Sequence, residues 1–242
     1  MAERGVGQQA RVNQPLDITV IGLGGIGSWL APILARYMEH RPGPRSRITL
    51  IDGDVYERAN RARQNFTAFG NKARKTAEDL ARQYEHVSLR AVESYVTANN
   101  VQTLIGEGAV VLLAVDNHAT RKLVSDQCAG LQDVVLLSGG NELTDGNVQV
   151  FVRRQGTSIT QALTAHHPEI EHPNDLSPAD LGCEVLVNRG QTQLIFTNVA
   201  VASALLNAFY GVVELGQCDY DEVYVDIRRA RMTPVARTVG RP

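Results

Sequence analysis

The feature that most constrains the fold is a glycine-rich loop between an apolar segment and an amphipathic one. Residues 17–21 (DITVI) have the character of a buried strand, GLGGIGS follows at residues 22–28, and residues 26–38 have the spacing of a helix. The first glycine of such a loop permits a tight turn, the second lets the backbone approach a phosphate, and the last lets helix and strand pack closely. The segment therefore predicts an α/β unit that binds an anion.

This loop predicts nucleotide binding, because free N–H groups at the start of the following helix face the anion. Taken alone, it does not separate ATP from NAD, FAD or S-adenosylmethionine. The predicted contacts in the loop are Gly22, Gly24, Gly25, Gly27 and Ser28.

Apolar runs alternate with helical segments over the first 140 residues. Strands are predicted at residues 47–51, 87–92, 110–115 and 134–137, and helices at residues 72–84 and 119–130. Strands that alternate with helices form a doubly wound parallel sheet.

The pattern changes after residue 140. Residues 147–153 alternate like an antiparallel strand, an apolar helix is predicted at residues 191–215, and a closing hairpin at residues 222–235. Between them lies a long segment without periodicity, which is usually functional or disordered. We predict an α/β fold with a Rossmann-like, mostly parallel sheet extended by antiparallel strands. A crossover loop at about residues 155–189 and a long apolar helix would occupy its C-terminal half.

Composition limits the classes of partner. The 24 basic and 26 acidic residues give a net charge of −2, which offers no argument for nucleic acid or a membrane surface, and we expect neither. Residues 1–15 lack the apolar stretch of a signal peptide, and polar residues interrupt residues 194–215, which favours a buried helix over a membrane span. We expect a cytoplasmic protein. Three cysteines without a CxxC pair predict neither a disulfide framework nor structural zinc.

Acidic residues follow two of the predicted strands. Asp52 ends the second strand, where a carboxylate can accept hydrogen bonds from ribose hydroxyls. Asp54 is a second acid, which would repel bound phosphates unless a cation lies between them. Asp116 ends the fourth strand at the same edge of the sheet. Asp116, and with it Asp54, is therefore a candidate ligand for Mg²⁺, which prefers carboxylates combined with substrate phosphates.

Cationic and amide side chains complete this set. Arg63 offers a planar fork to phosphate oxygens, and Lys72 offers a compact charge. Asn60 and Gln64 lie in the same segment. An NAD-dependent dehydrogenase needs one acid at this strand end and has no evident need for the other residues. The set therefore favours a triphosphate site.

These residues resemble the motifs of the ThiF/MoeB/ubiquitin-activating enzyme superfamily. Its D-x-D followed by N-x-x-R-Q matches residues 52–64, its next lysine matches Lys72, and its D-N-x-x-x-R matches Asp116, Asn117 and Arg121. The resemblance covers residues 17–140, and the short chain resembles bacterial ThiF-like proteins such as those of the PRTRC plasmid system. It implies a single adenylation domain over residues 1–242, with a flexible lead-in (1–15), an ATP-binding half (16–140) and a substrate-binding half (141–242).

The resemblance also implies an activity. Members of the superfamily adenylate the C-terminal glycine carboxylate of a ubiquitin-like (β-grasp) protein, and the resemblance favours a homodimer. Asp52 would hold the ATP ribose and Asp116 the Mg²⁺. Asn60, Arg63 and Lys72 would hold the phosphates, and Gln64, Asn117 and Arg121 are further predicted contacts. A C-terminal carboxylate has a pKa of about 3.5, so its attack on the α-phosphate needs charge neutralisation and positioning rather than a general base.

A second step is implied at Cys183. In several relatives a cysteine of the crossover loop attacks the acyl-adenylate to form a thioester or an acyl persulfide, and Cys183 falls at that place. A loop before a helix gives a thiol access, and helix polarity or Arg189 would favour the thiolate. An inert cysteine is the alternative, and Cys128 and Cys218 are expected to be structural.

Some features depart from the superfamily pattern. The C-terminal half lacks the paired CxxC motifs with which many relatives bind zinc, and at this length we expect neither a separate cysteine domain nor a ubiquitin-fold domain. The R-x-x-R-Q helix that donates an arginine across the dimer of relatives is also absent, and Arg11 is only a loose candidate for that role.

Three alternative functions stay open. The chain could adenylate a small molecule or an RNA base, act as an NAD-dependent oxidoreductase, or serve as a non-catalytic nucleotide-binding scaffold. The oxidoreductase leaves Asn60, Arg63 and Lys72 unexplained. A scaffold is expected to lack an equivalent of Arg63, Lys72 or Asp116, and none is missing.

Overall fold

The computed structural model describes residues 14–180 and 193–237. Its strands are β1 (Asp17–Ile21), β2 (Arg47–Ile51), β3 (Val55–Tyr56), β4 (Gly70–Asn71), β5 (Ser88–Val92), β6 (Val110–Leu113), β7 (Val134–Asn141), β8 (Asp145–Arg154), β9 (Thr157–Ser158), β10 (Glu222–Asp226) and β11 (Arg231–Val235). Its helices are α1 (Gly27–His40), α2 (Lys72–Ala81), α3 (Val101–Leu104), α4 (His118–Ala129), α5 (Pro168–Glu171) and α6 (Ile195–Phe209). Short 3₁₀ helices span Arg58–Asn60, Leu163–Ala165 and Pro178–Asp180, and a π-helical turn, Tyr210–Glu214, continues α6.

The main sheet has the strand order β11-β10-β8-β7-β6-β1-β2-β5, with β9 paired to β8. The strands from β5 to β7 in this order run parallel, and β8, β10 and β11 extend the sheet in antiparallel fashion. The chain runs from β1 outwards to β2 and β5, then returns to β6 on the other side of β1. Open α/β sheets bind ligands at the carboxyl ends of the strands beside such a reversal. The topology therefore places a ligand site between β1 and β6.

Apolar side chains cover both faces of the sheet. One face packs against α1, α2 and α6, and the other packs against α3, α4, α5 and the 3₁₀ helix Leu163–Ala165. Because the central strands are buried on both faces, they are continuous apolar runs; all four residues of β6 are buried. The predicted α/β class is confirmed.

Several predicted element bounds agree with the structure. β1 and β2 have the predicted bounds, whereas β7 continues past the predicted residues 134–137 to Asn141 and pairs with β8 along this extension. The predicted apolar helix at residues 191–215 begins at Ile195, and its last turn is π-helical. Residues 191 and 192 lie outside the described residues.

With its π-helical turn, α6 is long and apolar enough to cross a membrane. It packs instead against β7, β8 and α1, and Leu205 and Phe209 are among its buried residues. Its polar Thr197 and Asn198 are fully buried and hydrogen-bonded, to the carbonyl oxygens of Leu143 and Arg63. Helix α6 is therefore a core helix, as expected.

The segment predicted as a loop at about residues 155–189 contains more structure than expected. Residues 155–180 include β9 and three short helices. Leu163 and Ile170 from these helices are buried against the α4 face of the sheet. Periodicity does not detect them, because helices of three or four residues are shorter than one amphipathic repeat. The remainder, residues 181–192, lies outside the described residues.

Candidate nucleotide and substrate cleft

A cleft of about 1140 Å³ opens at the carboxyl ends of β1, β2 and β6. One part of it, which we call the loop arm, is lined from residues 21–26, 51–72, 94–96 and 114–121. The other part, the sheet arm, is lined from residues 140–149, 167–178 and 224–226. The two arms form one continuous space.

The loop arm brings together most of the predicted site residues. Those that line it are Gly22, Gly24, Gly25, Asp52, Asp54, Asn60, Arg63, Gln64, Lys72, Asp116, Asn117 and Arg121. Gly27 and Ser28 lie in the first turn of α1, behind the lining, and are buried. Cys183 lies outside the described residues.

Three glycines of the loop allow close packing. Gly22 has a φ of +88°, and a Cβ there would lie 2.7 Å from the carbonyl oxygen of Ala114. A Cβ on Gly27 would overlap the carbonyl oxygen of Gly22. A Cβ on Gly25 would lie 2.6 Å from the amide nitrogen of Asn198, at the start of α6. The loop is therefore clamped between β1, α1 and α6.

Gly24 differs from these glycines because it faces the open cleft. A Cβ there would have a single neighbour within 4 Å, the Gln64 Nε2 atom at 3.9 Å. Within the described part of the chain, the backbone N–H groups of Gly24, Gly25 and Ile26 have no hydrogen-bond partner. Unpaired donors at the N-terminus of α1 fit the phosphates of a nucleotide. The buried Gln64 Oε1 atom also lacks a partner there, so it needs a donor such as a hydroxyl group or a water.

Asp52 closes the back of the loop arm. Its Oδ2 atom accepts the backbone N–H of Leu23 (2.6 Å), and its Oδ1 atom accepts that of Asp54 (2.8 Å). Burial raises the pKa of the Asp52 carboxyl above its ordinary value, although the Lys72 ammonium acts in the opposite direction. The carboxylate ties the glycine loop to the end of β2, and its remaining lone pairs can accept ribose hydroxyls.

An ion pair joins Lys72 to Asp54 in the loop arm. The Lys72 Nζ atom lies 2.9 Å from Asp54 Oδ2, and the Tyr95 hydroxyl donates to Asp54 Oδ1 at 2.9 Å. Burial, together with the charge of Asp54, raises the pKa of Tyr95. Lys72 is the first residue of α2, where a cation opposes the helix dipole at a cost of about 0.3–1 kcal/mol. Asp54 offsets this cost and keeps a nearly buried cation beside the cleft.

Asn71 aligns the two segments that carry this pair. Its Oδ1 atom caps α2 by accepting the N–H of Arg74 (3.0 Å). Its Nδ2 atom donates to the carbonyl oxygens of Asp52 (2.9 Å) and Asp54 (3.2 Å). The Asn71 side chain thereby fixes the distance between the end of β2 and the start of α2, where Lys72 lies.

Arg63 lies where the two halves of the chain meet. Its carbonyl oxygen accepts the Trp29 indole N–H and the Asn198 amide, both at 3.2 Å. Its Nη1 atom donates to Gln193 Oε1 at 2.8 Å. The backbone of Arg63 is therefore held from α1 and α6, while the other N–H groups of its guanidinium remain available to phosphate oxygens.

Two other predicted contacts are used by the protein itself. Asn60 Oδ1 accepts the backbone N–H of Glu57 (2.9 Å) and closes the 3₁₀ turn. Ser28 Oγ accepts the backbone N–H of Asn65 (3.0 Å) and is buried. These bonds position the segment that carries Arg63, and nucleotide contact by Asn60 or Ser28 stays a prediction.

Asp116 presents a free carboxylate to the loop arm. It is exposed, and within residues 14–180 and 193–237 it makes no hydrogen bond or ion pair. The next residue, Asn117, caps α4 by accepting the N–H of Thr120 (2.8 Å). No group of three or more His, Cys, Asp or Glu residues in the described ranges is placed to hold a metal ion. Mg²⁺ needs only one or two carboxylates besides substrate phosphates, so Asp54 and Asp116 fit this ion.

Arg121 contacts the ends of two strands. Its guanidinium donates to Ser138 Oγ (2.9 Å) and to the carbonyl oxygens of Val115 (2.7 Å) and Gly139 (2.8 Å). Burial lowers the pKa of Arg121 to about 10, although Asp116 acts in the opposite direction. Arg121 therefore fixes β6 to β7 beneath the cleft, and its predicted contact with the nucleotide stays a prediction.

Asp175, from the segment predicted to be a loop, caps α4. Its Oδ2 atom accepts the N–H of His118 (2.8 Å) and its Oδ1 atom that of Ala119 (2.9 Å). A carboxylate at a helix N-terminus satisfies free N–H groups and complements the helix dipole. Because α4 begins two residues after Asp116, Asp175 attaches the crossover segment to the loop arm.

His167 anchors the same segment to β10. Its ring nitrogens lie 2.6 Å from Glu222 Oε1 and 2.9 Å from Glu169 Oε1. Glu222 also accepts Arg237 Nη2 and the Tyr224 hydroxyl, both at 2.8 Å. Burial acts to raise the pKa of Glu222, but the hydrogen bonds from Arg237 and His167 outweigh it, so the pKa lies below its ordinary value. This network closes the outer end of the sheet arm.

Sequence reasoning missed five residues that build the cleft: Tyr95, Asn71, Gln149, Asp175 and Asn198. Asn71 directly precedes α2, so its capping role has a recognisable sequence signal. Tyr95, Asp175 and Asn198 contact residues that lie 41 to 135 positions away in the chain. Gln149 lines the cleft without a hydrogen-bond partner among the described residues. No local pattern in the sequence reports such contacts.

Two of the three cysteines are buried, as expected. Both Cys128 and Cys218 are buried, and burial raises the pKa of Cys128 to about 12. A thiol of this kind is inert as a nucleophile at neutral pH.

Comparison with known proteins places the chain in a family. The sequence profile of the ThiF family matches residues 1–223. The chain is 30% identical over 156 residues to the adenylyltransferase and sulfurtransferase MOCS3 of Drosophila ananassae, covering 63% of this chain and 33% of that protein. It is 29% identical over 139 residues to the SAMP-activating enzyme E1 of Haloferax volcanii, covering 56% of this chain and 49% of that protein. The chain thus spans between a third and a half of the length of these relatives.

Solved structures share the fold. Escherichia coli MccB, in a structure with ATP, has a TM-score of 0.68 at 15% identity, covering 95% of this chain and 66% of that chain. PaaA has a TM-score of 0.65 at 14% identity, covering 92% of this chain and 64% of that chain.

Proposed function

This chain belongs to the ThiF family, and from that premise we propose that it adenylates the C-terminal glycine carboxylate of a ubiquitin-like, β-grasp protein, using ATP. Relatives named as an adenylyltransferase and as a SAMP-activating enzyme support an adenylation reaction. The ubiquitin-like identity of the substrate is the further step of the proposal.

The observation that carries the proposal is the continuity of the two arms of the cleft. The loop arm holds unpaired backbone N–H groups together with Arg63 and Lys72, which suit a polyphosphate. The sheet arm leads from there over the surface of the antiparallel strands and is open to solvent at exposed residues such as Asp145 and Tyr224. An extended tail bound in the sheet arm would bring its end to a nucleotide bound in the loop arm.

Within the loop arm each group has a distinct task. The glycine-loop N–H groups and Lys72 neutralise phosphate charge, and Arg63 offers its free donors to phosphate oxygens. Asp52 accepts ribose hydroxyls. Asp116, with Asp54, would hold Mg²⁺, which supplies further neutralisation of the phosphates when bound.

The proposed reaction needs no proton transfer. An ionised carboxylate oxygen of the tail attacks the α-phosphorus, the bond from that phosphorus to the bridging oxygen of the β-phosphate breaks, and pyrophosphate leaves. Charge neutralisation by Arg63 and Lys72, and alignment of the tail with the nucleotide, lower the barrier. The two residues act by charge and position.

A second step at Cys183 is a further part of the proposal. Attack of its thiolate on the acyl carbon would form a thioester and release AMP. Asp175 ties the crossover segment to the loop arm, and the described part of this segment ends at Asp180. Cys183 follows three residues later in the sequence. A reductant-sensitive adduct with the substrate that is absent from Cys183→Ala would support this step, and an undiminished adduct would exclude Cys183.

We also infer that a second copy of the chain covers an apolar face formed by α1 and α6. Ile33 and Tyr37 of α1 are exposed there, together with Val199 and Phe196 of α6, the last with 69% of its surface accessible. The Tyr37 ring contacts the Tyr210 ring edge to face, so the two helices form one surface. Sedimentation velocity should show a dimer that Phe196→Glu weakens, and a wild-type monomer at micromolar concentration would contradict the inference.

ATP–pyrophosphate exchange tests the proposed activity. With a ubiquitin-like protein ending in glycine we expect exchange that requires Mg²⁺ and falls by about 100-fold or more in Arg63→Ala or Asp116→Ala. Arg61→Ala is the matched control, because Arg61 belongs to the same segment but packs over the Phe69 ring outside the cleft lining. Absence of exchange with every such protein, or NADH binding with hydride transfer, would refute the proposal.

A further inference from the structure

The floor of the sheet arm is a polar strip across β8 and β10. The alternate residues of both strands between these polar positions belong to the core beneath α1 and α6. Three cross-strand pairs occupy the cleft side of the strip: Gln149 with Glu222, Asn147 with Tyr224, and Asp145 with Asp226. We call this surface the β8–β10 strip.

One side chain of the strip is buried without a partner. Gln149 has 3% of its surface exposed, and neither its Oε1 nor its Nε2 atom makes a hydrogen bond in the described part of the protein. Leaving both ends of a buried amide unpaired is costly, so such a group usually meets a ligand or a water. A side cavity of about 10 Å³ next to Gln149 has room for one water at most. Gln149 also lines the cleft itself.

The Gln149 amide is suited to hydrogen-bond a peptide backbone. It offers an acceptor oxygen and a donor nitrogen, which are the complements of the N–H and C=O groups of a peptide backbone. An extended chain lying over a sheet presents these groups at regular spacing. Gln149 is therefore suited to hold the main chain of a tail, whatever its side chains.

The turn at the start of the strip carries unpaired negative charge. Glu142 and Asp145 are exposed, and neither carboxylate makes an ion pair or side-chain hydrogen bond with any described residue. Asp145 also lies directly opposite Asp226, and like charges at such positions repel each other. Asp226 pairs with Arg229 at 3.0 Å, which leaves Glu142 and Asp145 uncompensated.

The two arms differ in whether cationic side chains line them. Arg63, Lys72 and Arg121 line the loop arm, together with the carboxylates of Asp52, Asp54, Glu57 and Asp116. In the sheet arm Glu142, Asp145, Glu169 and Asp226 line the cleft, and no described lysine or arginine does. A phosphate is drawn to the first arm, and a cationic side chain to the second.

We propose that the β8–β10 strip is a subsite for an extended peptide tail that carries a lysine or arginine a few residues before its C-terminal carboxylate. Gln149 hydrogen-bonds a backbone amide of the tail, and Glu142 and Asp145 attract the basic side chain. The inference rests on the proposed function, because the carboxylate of the tail then reaches the nucleotide in the loop arm.

Fluorescence anisotropy with labelled peptides tests this subsite directly. The probes are ten-residue peptides that end in Gly-Gly and carry Lys, Gln or Glu at one of the third to sixth positions from the C-terminus. They are titrated with the full chain in the presence of a non-hydrolysable ATP analogue. At the best position we expect the Lys peptide to bind about tenfold more tightly than the Glu peptide, and this preference to shrink with added salt.

Variants assign the preference to named residues. Asp145→Asn should remove most of the preference for lysine, and Asp145→Lys should reverse it, whereas Asp126→Lys on α4, outside the cleft lining, should leave it unchanged. Gln149→Met should weaken all three peptides alike. If Gln149 serves only to hold a buried water, this variant will change the melting temperature and leave the dissociation constants as they were.

The outcomes separate the two proposals. Equal dissociation constants for the three peptides would overturn the basic-tail subsite even if pyrophosphate exchange shows that the peptides are adenylated. If no peptide binds and no Gly-terminated peptide or protein supports exchange, the proposed function fails, and the subsite that depends on it fails too.

Discussion

The loop arm and the sheet arm of the cleft are constructed in different ways. In the loop arm most chemical groups lie in short segments directly after a strand, such as Asp52 and Asp54 after β2, or Asp116 after β6. In the sheet arm they come from cross-strand pairs and from the crossover segment, where His167 meets Glu222 across 55 residues. The comparison teaches that the groups of the loop arm are specified by local sequence, whereas the surface of the sheet arm is specified by sheet register.

The largest expected effect separates packing from ligand binding within the glycine loop. Gly27→Ala places a Cβ on the Gly22 carbonyl oxygen, so we expect a loss of about 3 kcal/mol or more of folding free energy, measured by thermal unfolding. Gly24→Ala makes the same chemical change in open space. It should alter stability by less than about 0.5 kcal/mol and weaken ATP binding by about tenfold, measured by calorimetric titration.

Two outcomes would contradict this distinction between packing at Gly27 and ligand binding at Gly24. Normal ATP binding by Gly24→Ala would show that the phosphates do not approach this glycine. Equal destabilisation by both alanines would show that the loop is under packing constraint throughout.

The next effect concerns charge in the loop arm. Lys72→Ala should lower the rate of ATP–pyrophosphate exchange by about 100-fold or more, because its ammonium neutralises charge beside the cleft. Lys75→Ala is the matched control on the same helix, since Lys75 pairs with Glu78 outside the cleft lining. Similar exchange rates for the two variants would remove Lys72 from the proposed reaction.

A smaller effect is expected where the two arms are joined. Asp175→Ala removes one of the two caps of α4, the other being Asn117, and should cost about 1 kcal/mol, which corresponds to a fall of about 2–4 °C in melting temperature. Asp175→Asn retains an acceptor and should recover most of this loss. An unchanged melting temperature in Asp175→Ala would mean that the crossover segment is held to α4 by its apolar contacts alone.

The smallest effect is a pH dependence of stability in the sheet arm. Because the folded pKa of Glu222 lies below its ordinary value, its contribution is complete above a pH of about 4.3 and is lost as the pH falls through the folded pKa. When the pH falls from about 5 to about 3, the unfolding free energy of the wild-type protein should therefore decrease more than that of Glu222→Gln. Urea unfolding at several pH values measures the difference, and parallel pH curves would contradict it.

The sequence predicts the central sheet and the loop arm for a physical reason. Strands buried on both faces must be continuous apolar runs, so β1, β2 and β6 are visible without any partner. The residues after them are brought together by the parallel topology alone. This is why the sequence alone predicts that Asp52 and Asp116 lie in one cleft, as the structure shows.

The sheet arm could not be predicted in the same way. The pairing of Asp145 with Asp226 depends on a register between strands 81 residues apart, and a slip of one residue would turn both side chains to the other face. His167 directly precedes α5, and Asp175 lies between α5 and the 3₁₀ helix Pro178–Asp180; both helices are too short to leave a periodic signal. Cys183 lies outside the described residues, so its predicted role remains open to the adduct experiment alone.

The packing of α6 against the glycine loop has a consequence for the order of folding during synthesis. The loop at residues 22–28 is synthesised well before α6, yet in the folded protein Asn198 of α6 lies against Gly25 and donates to the carbonyl oxygen of Arg63. Contacts of such separation form late in folding, because a long stretch of chain must close before they are gained. A nascent chain that contains only β1, the glycine loop and α1 therefore holds an incomplete anion site, and we expect nucleotide binding to require that α6 has also been synthesised.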